Sequence, residues 1–232
     1  AIDINQGCSG YTYSLGLAQS LLLDENINNI LIVTSETYSK YINEKDRTNR
    51  SIFGDAATAT VMCSNNKIKN YKFLYGTDGS GASSLIVRNG CSIPYDNNPK
   101  EKTYGQGNTY TDNNLYMDGP EVFNFTLREI PSFFKKIINS NKINSDEIDQ
   151  IIFHQANKFL LNTLRKLIKI EKDKFYINLE DGGNTVSNTI PIALKKFVEE
   201  NKLYSVNLKF LLIGFGVGLS WGGGVVNAKI FN

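Results

Sequence analysis

The sequence predicts an α/β fold built on a largely parallel sheet, on the strength of three neighbouring segments. Residues 1–4 alternate apolar and polar, as a short strand does. Tyr11, Leu15, Ala18 and Leu22 then recur at helical spacing, with Leu17, Leu21 and Leu23 making the helix apolar on most sides. Residues 29–35 (NILIVTS) form a continuous apolar run of strand length, the pattern of a strand buried on both faces. Strand, buried helix and buried strand make a βαβ unit, whose crossover implies parallel pairing.

Beyond this unit, residues 36–50 are polar and charged and read as a surface excursion. Residues 56–63 (AATATVMC) read as a strand of small and β-branched residues, and 67–75 as another. Residues 76–114 are rich in Gly, Ser, Asn and Asp, lack periodicity apart from 84–87, and predict a long functional or mobile loop. Asp118-Gly119-Pro120 opens a helix, with proline where a missing N–H costs nothing. Phe123, Leu127, Ile130, Phe134 and Ile137 form its apolar stripe, and Pro131 predicts a kink. Residues 145–148 predict a capped turn. The only histidine, His154, ends a buried strand over 150–154, before a basic amphipathic helix that runs to about Ile170. A short strand over 175–177, a Gly-rich turn over 180–187 and a helix over 190–200 follow. The chain closes in a hairpin, with strands over 210–213 and 225–230 around a glycine-rich loop over 214–224.

Composition narrows the function. With 232 residues, 41% of them hydrophobic, the chain can bury a substantial core. A net charge of +2, with no arginine-rich stripe among aromatics, argues against nucleic acid. Cys8, Cys63 and Cys91 form no C-x-x-C pair and are odd in number, so neither a disulfide framework nor a zinc site is indicated. That usage fits a reducing cytoplasmic setting, and the lack of an uncharged apolar run of membrane length predicts no membrane span. No nucleotide-binding glycine fingerprint occurs in 214–224. The chain opens at Ala1 directly in a predicted strand, which suggests a fragment.

Gln6-Gly7-Cys8-Ser9-Gly10 places a cysteine at the start of the first helix. There the helix dipole and free backbone N–H groups favour negative charge, and a thiol pKa can fall to roughly 3.5–7.5. Two readings stand for Cys8: a thiolate nucleophile, or a small buried hydrophobe. His154 at a strand end and Asn184 in a Gly-Gly-Asn turn likewise read as catalytic or as structural. All three stand at strand ends or helix starts, where open α/β sheets place their sites.

Five segments together resemble the 3-oxoacyl-(acyl-carrier-protein) synthase III family of the thiolase superfamily. They are the Gly-Cys-Ser-Gly of residues 3–11, IFGDAA at 52–57, HQAN at 154–157, GNTVSNTIP at 183–191 and GFGVGLSWG at 214–222. The resemblance implies a thiolase-like αβαβα five-layer fold of two stacked similar halves, with the first half incomplete in this chain. Residues 1–115 would belong to the first half and 116–232 to the second. The missing segment would be absent from the chain or present as a separate chain, and the family is normally homodimeric.

Carried over by position, the resemblance implies Cys8 as acyl-accepting nucleophile, with His154 and Asn184 completing the catalytic set. Phe215 matches an aromatic near the condensing centre. The backbone N–H groups of Cys8 and Val217 would form the oxyanion hole. Asn157 would support the site, and Arg47 would lie near the nucleotide end of coenzyme A. The implied reaction loads an acyl group on Cys8, then condenses it with malonyl carrier protein with loss of CO2. Substrates would be coenzyme A or phosphopantetheine thioesters, the partner an acyl carrier protein, and no metal or cofactor is called for. One departure lies after HQAN, where Phe159 replaces the basic residue often used for carrier docking; Lys158, Arg165, Lys166 and Lys169 lie nearby. Two alternatives share parts of the pattern. A superfamily acyltransferase would move the acyl group to an alcohol or amine without decarboxylation. A papain-like protease shares the Cys-His-Asn order but gives HQAN and the glycine-rich ending no role.

Overall fold

Side chains along the central strand alternate between two packed faces with the two-residue period of an extended chain, and that alternation organises the molecule. The computed structural model describes residues 1–64, 71–90, 92–180 and 182–231. A 3-10 turn over Gly7–Ser9 leads into α1 (Gly10–Leu21), then β1 (Asn29–Glu36), a 3-10 turn over Tyr38–Tyr41, α2 (Arg47–Arg50) and β2 (Ala56–Cys63). Next come β3 (Leu74–Thr77), β4 (Leu85–Val87), β5 (Lys102–Tyr104), β6 (Asn108–Tyr110), β7 (Leu115–Met117) and α3 (Gly119–Asn141). The rest is β8 (Gln150–Phe153), α4 (Lys158–Ile168), α5 (Thr189–Glu200), β9 (Leu208–Gly216) and β10 (Ser220–Ala228).

The main sheet has four strands in the order β3-β10-β9-β8. Phe210 and Leu212 of β9 pack with Ile152, Tyr11 and Leu15 of α1 and Ile190 and Leu194 of α5. Leu211, Ile213 and Phe215 point the other way, into a cluster with Phe153, Ile130 and Ile137 of α3 and Leu161 and Leu164 of α4. The sheet is thus buried on both faces between two helical layers.

Several expectations are corrected. The main sheet is mostly antiparallel: β8 and β9 pair in parallel, whereas β9 with β10 and β10 with β3 run antiparallel, as do β1 and β2 in a sheet of their own. Residues 1–4 are not a strand, because a strand needs a partner for its backbone and the first strand begins only at Asn29. Without it there is no βαβ unit. β1 is not buried on both faces, since Leu31 and Val33 are 62% and 63% exposed. Nor is α1 buried all round, as Leu17 is exposed. The loop expected over 76–114 holds three short strands, β5 paired with β6 and β4 paired with β7 just beyond the loop. The closing hairpin runs through its glycines, with Gly214–Gly216 in β9 and Gly222–Gly224 in β10. Residues 175–177 make only an isolated bridge from Phe175 to Ile151.

Other expectations hold. β2 has the predicted limits, and α3 begins where Asp118 accepts a hydrogen bond from the Glu121 N–H. Pro131, where a kink is expected, lies inside α3 without ending it. The turn at 145–147 closes with a capping box between Asn144 and Glu147. Part of the strand expected over 67–75, residues 67–70, and Cys91 lie outside the described residues.

Candidate active site

Cys8 sits in the three-residue 3-10 turn ahead of α1 and is 5% exposed. The end of β9 lies directly against it. A Cβ on Gly216 would fall 2.8 Å from the Cys8 Sγ and 2.7 Å from its Cβ, so only glycine lets this strand approach the thiol. The next residue, Val217, offers its backbone N–H to the sulfur. Beyond it, the Ser220 hydroxyl lies 2.9 Å from the Val217 carbonyl and 2.7 Å from the Ser9 hydroxyl. The turns on either side of the sulfur are therefore tied together.

The electrostatics reverse the expectation of a lowered thiol pKa. Burial pushes the Cys8 thiol up to about 12; the Val217 N–H acts the other way, and the Glu36 carboxylate adds to the rise. Removing water from the sulfur outweighs the local dipole that the sequence reveals. The resting group is a neutral thiol.

His154 follows β8, its backbone N–H bonded to the Ile213 carbonyl at 2.8 Å. Its ring is 2% exposed and stands edge-on to Phe215, with centroids 5.6 Å apart and planes at 88°. The Nδ1 atom lies 2.8 Å from the Thr189 hydroxyl. Burial lowers the imidazole pKa to about 3, against a smaller opposite effect of the Val186 backbone. His154 is neutral at physiological pH.

Asn184 is held by the segment resembling IFGDAA. Its N–H donates to the Ile52 carbonyl at 2.9 Å, and its carbonyl accepts from the Gly54 N–H at 3.0 Å. A Cβ on Gly54 would sit 2.1 Å from the Gly182 carbonyl oxygen, so the two backbones meet only through glycine. The Asn184 Oδ1 accepts from the Val186 N–H at 2.9 Å.

Three segments therefore converge. The Cys8 turn packs on β9 and on the 3-10 turn over Val186–Asn188, and that second turn lies between Asn184 and Thr189. β9 carries Phe215 to His154 and Gly216 to Cys8. Two predicted residues stand apart on the surface. Asn157 caps α4, accepting from the Leu160 N–H at 2.8 Å. Arg47 begins α2, whose N-cap Asp46 also accepts from the Tyr104 hydroxyl at 2.6 Å.

Sequence reasoning missed Thr189, Ser9 and Ser220, and the Glu36–Ser187 pair, in which the Ser187 hydroxyl donates to the Glu36 carboxylate at 2.6 Å. Thr189 carried a weak signal as a hydroxyl residue at a predicted helix start. A cavity of about 840 Å³ is lined by Gly7, Glu36, Ser187 and Val217 and also by Leu17 and Val33; Cys8 itself is not in its wall. Among the described residues no cluster of His, Cys, Asp and Glu is arranged to hold a metal ion, and no helix is long and apolar enough to cross a membrane.

Fold and site together define a thiolase-like α/β protein with a buried cysteine at the head of a helix. Residues 2–79 match the family model for 3-oxoacyl-[acyl-carrier-protein] synthase III, and residues 138–228 match the model for its C-terminal part. A beta-ketoacyl-[acyl-carrier-protein] synthase III of Clostridium perfringens is 34% identical over 227 residues, covering 97% of this chain and 67% of the relative. The enzyme of the same name from Synechocystis is 32% identical over 231 residues, covering 97% and 67%. A solved 3-oxoacyl-(acyl-carrier-protein) synthase III superposes with a TM-score of 0.93 at 40% identity, over 98% of this chain and 68% of the other. A 3-oxoacyl-(acyl-carrier protein) synthase from Burkholderia xenovorans gives a TM-score of 0.86 at 32% identity, over 100% and 65%. The chain belongs to the 3-oxoacyl-[acyl-carrier-protein] synthase III family, and is a condensing enzyme of the acyltransferase class in fatty acid biosynthesis. It spans about two thirds of the length of these relatives.

Proposed function

We propose that Cys8 carries the acyl group and that His154 and Asn184 hold the enolate that attacks it. The supporting observation is that one strand end serves two of these residues, β9 touching His154 through Phe215 and Cys8 through Gly216. In the first half-reaction the Cys8 sulfur attacks an acyl thioester. The S–H proton leaves with the departing thiol, and the N–H groups of Cys8 and Val217 hold the oxyanion. Such a donor is worth roughly 3–4 kcal/mol at a transition state. In the second, malonyl thioester loses CO2, and the resulting enolate carbon attacks the acyl carbonyl. The carbon–sulfur bond then breaks and the Cys8 sulfur regains a proton. Neutral donors suit the enolate oxygen, and the lowered His154 pKa keeps that group uncharged. An aspartate at 184 would repel both the malonyl carboxylate and the enolate. The sequence of two half-reactions is ping-pong, with a covalent intermediate.

In this reading the acyl donor is a coenzyme A or carrier thioester, with Arg47 toward the nucleotide and Asn157 supporting the turn after His154. An acidic acyl carrier protein approaches α4, where Lys158 and Lys166 are exposed beside Phe159, itself stacked on Phe123 at 5.7 Å. The working enzyme is a cytoplasmic homodimer needing no cofactor, with residues 1–115 and 116–232 in its two halves.

The test is incubation of the intact enzyme with an acyl thioester, followed by malonyl carrier protein. A mass adduct that Cys8→Ala abolishes, discharged with release of CO2, is the expected result. An adduct surviving in Cys8→Ala would remove the nucleophile assignment, and discharge to an alcohol or amine without CO2 would favour plain acyl transfer.

A further inference from the structure

The neutral imidazole of His154 carries one N–H, and the enolate role assigned above requires it on Nε2. The protein must therefore supply a donor to Nδ1. Among the described residues, the side chain at hydrogen-bond distance from Nδ1 is Thr189, its hydroxyl 2.8 Å away and both residues buried. That hydroxyl has a second acceptor in reach, the Val186 carbonyl at 3.0 Å. The Val186 carbonyl already accepts the Thr189 backbone N–H, which closes the 3-10 turn. The ring nitrogen has no such backbone donor among the described contacts, so a hydroxyl hydrogen spent on Val186 would duplicate a bond already made. A buried acceptor left without a donor is costly, whereas a carbonyl that already holds one donor loses little.

We infer that Thr189 is a positioning residue which donates its hydroxyl hydrogen to His154 Nδ1 and thereby fixes the Nε2–H tautomer. The placement has a local cause. Thr189 begins α5 immediately after the turn that follows Asn184, so one stretch of backbone carries Asn184 and sets the proton on His154. Its neighbours hold the hydroxyl in place: Val186 has left-handed φ of 57°, and its N–H is bound by the Asn184 side chain. The inference rests on the reading of His154 as an enolate donor, but the tautomer is measurable without any reaction.

Because His154 is the only histidine of the chain, nitrogen-15 labelling of histidine reports its two ring nitrogens directly by NMR. The wild-type chain is expected to show the proton on Nε2, Thr189→Ser to keep it there, and Thr189→Val to shift it toward Nδ1. In parallel, Thr189→Val should slow malonyl decarboxylation roughly ten-fold or more while slowing Cys8 acylation less, since the loss of a well-placed oxyanion donor costs about 10²–10³ in rate. A wild-type proton on Nδ1 overturns the inference, with no variant needed. So does an unchanged tautomer in Thr189→Val. A shifted tautomer with decarboxylation intact would uphold the Thr189 assignment and remove His154 from the enolate role.

Discussion

The sheet of β1 and β2 and the four-stranded sheet bury their strands differently. Along β9 every residue but Lys209 is buried, whereas β1 buries only Ile32 and Thr34. The difference separates two tasks. The four-stranded sheet, packed on both sides, fixes the direction from which Phe215 and Gly216 reach His154 and Cys8. β1 gives one face to the core and turns Leu31 and Val33 away from it. Its Thr34 hydroxyl donates to the Asn188 side chain at 2.6 Å, so it steadies the turn beside the site rather than setting the site's frame.

The contrast breaks most readily at Phe153, which is fully buried and stacks edge-on with Phe175 and Phe215. Phe153→Ala should cost about 3–5 kcal/mol in denaturant unfolding. A loss below about 1 kcal/mol would mean that the four-stranded sheet does not hold the frame.

An effect smaller within any one pH unit comes from acidification. The His154 pKa is lowered to about 3, so the unfolded chain binds a proton that the folded chain refuses. Stability should therefore fall as pH drops below about 6.5, by up to about 1.4 kcal/mol per pH unit from this residue, down to about pH 3. Cys8 acts at the other end. Its thiol is raised from 9.0 to about 12, so stability falls as pH rises above 9. These two groups leave a plateau between. Urea titrations at several pH values measure the acid slope, and His154→Gln should flatten it.

The smallest effect belongs to the outer face of β1. Val33→Thr should change stability by no more than about 0.5 kcal/mol. A cost approaching that at Phe153 would show this face covered in the folded enzyme, and the two sheets would then be alike.

Much of the fold was legible because its elements are long and periodic. The small and β-branched run of β2 and the Asp-Gly-Pro opening of α3 signal themselves locally. The strands β4 to β7 span three residues each, too few for alternation to stand out. The glycines of β9 and β10 read as a loop because local rules treat glycine as a breaker. Gly216 is there for a contact with a residue more than two hundred positions away. Cys8, His154 and Asn184 could be picked out from spacing and resemblance. The sign of the thiol shift could not, because it depends on burial by segments distant in the chain.

The alternation along β9 has a final consequence. Leu211, Ile213 and Phe215 face one helical layer and Phe210 and Leu212 the other. Insertion or deletion of a single residue upstream of Gly216 would exchange these two sets and rotate the strand tip by half a turn. β9 therefore works as a measuring rod whose divisions are whole pairs of residues. Longer connections on either side of the rod would keep that register, and a rod longer by one residue would lose it.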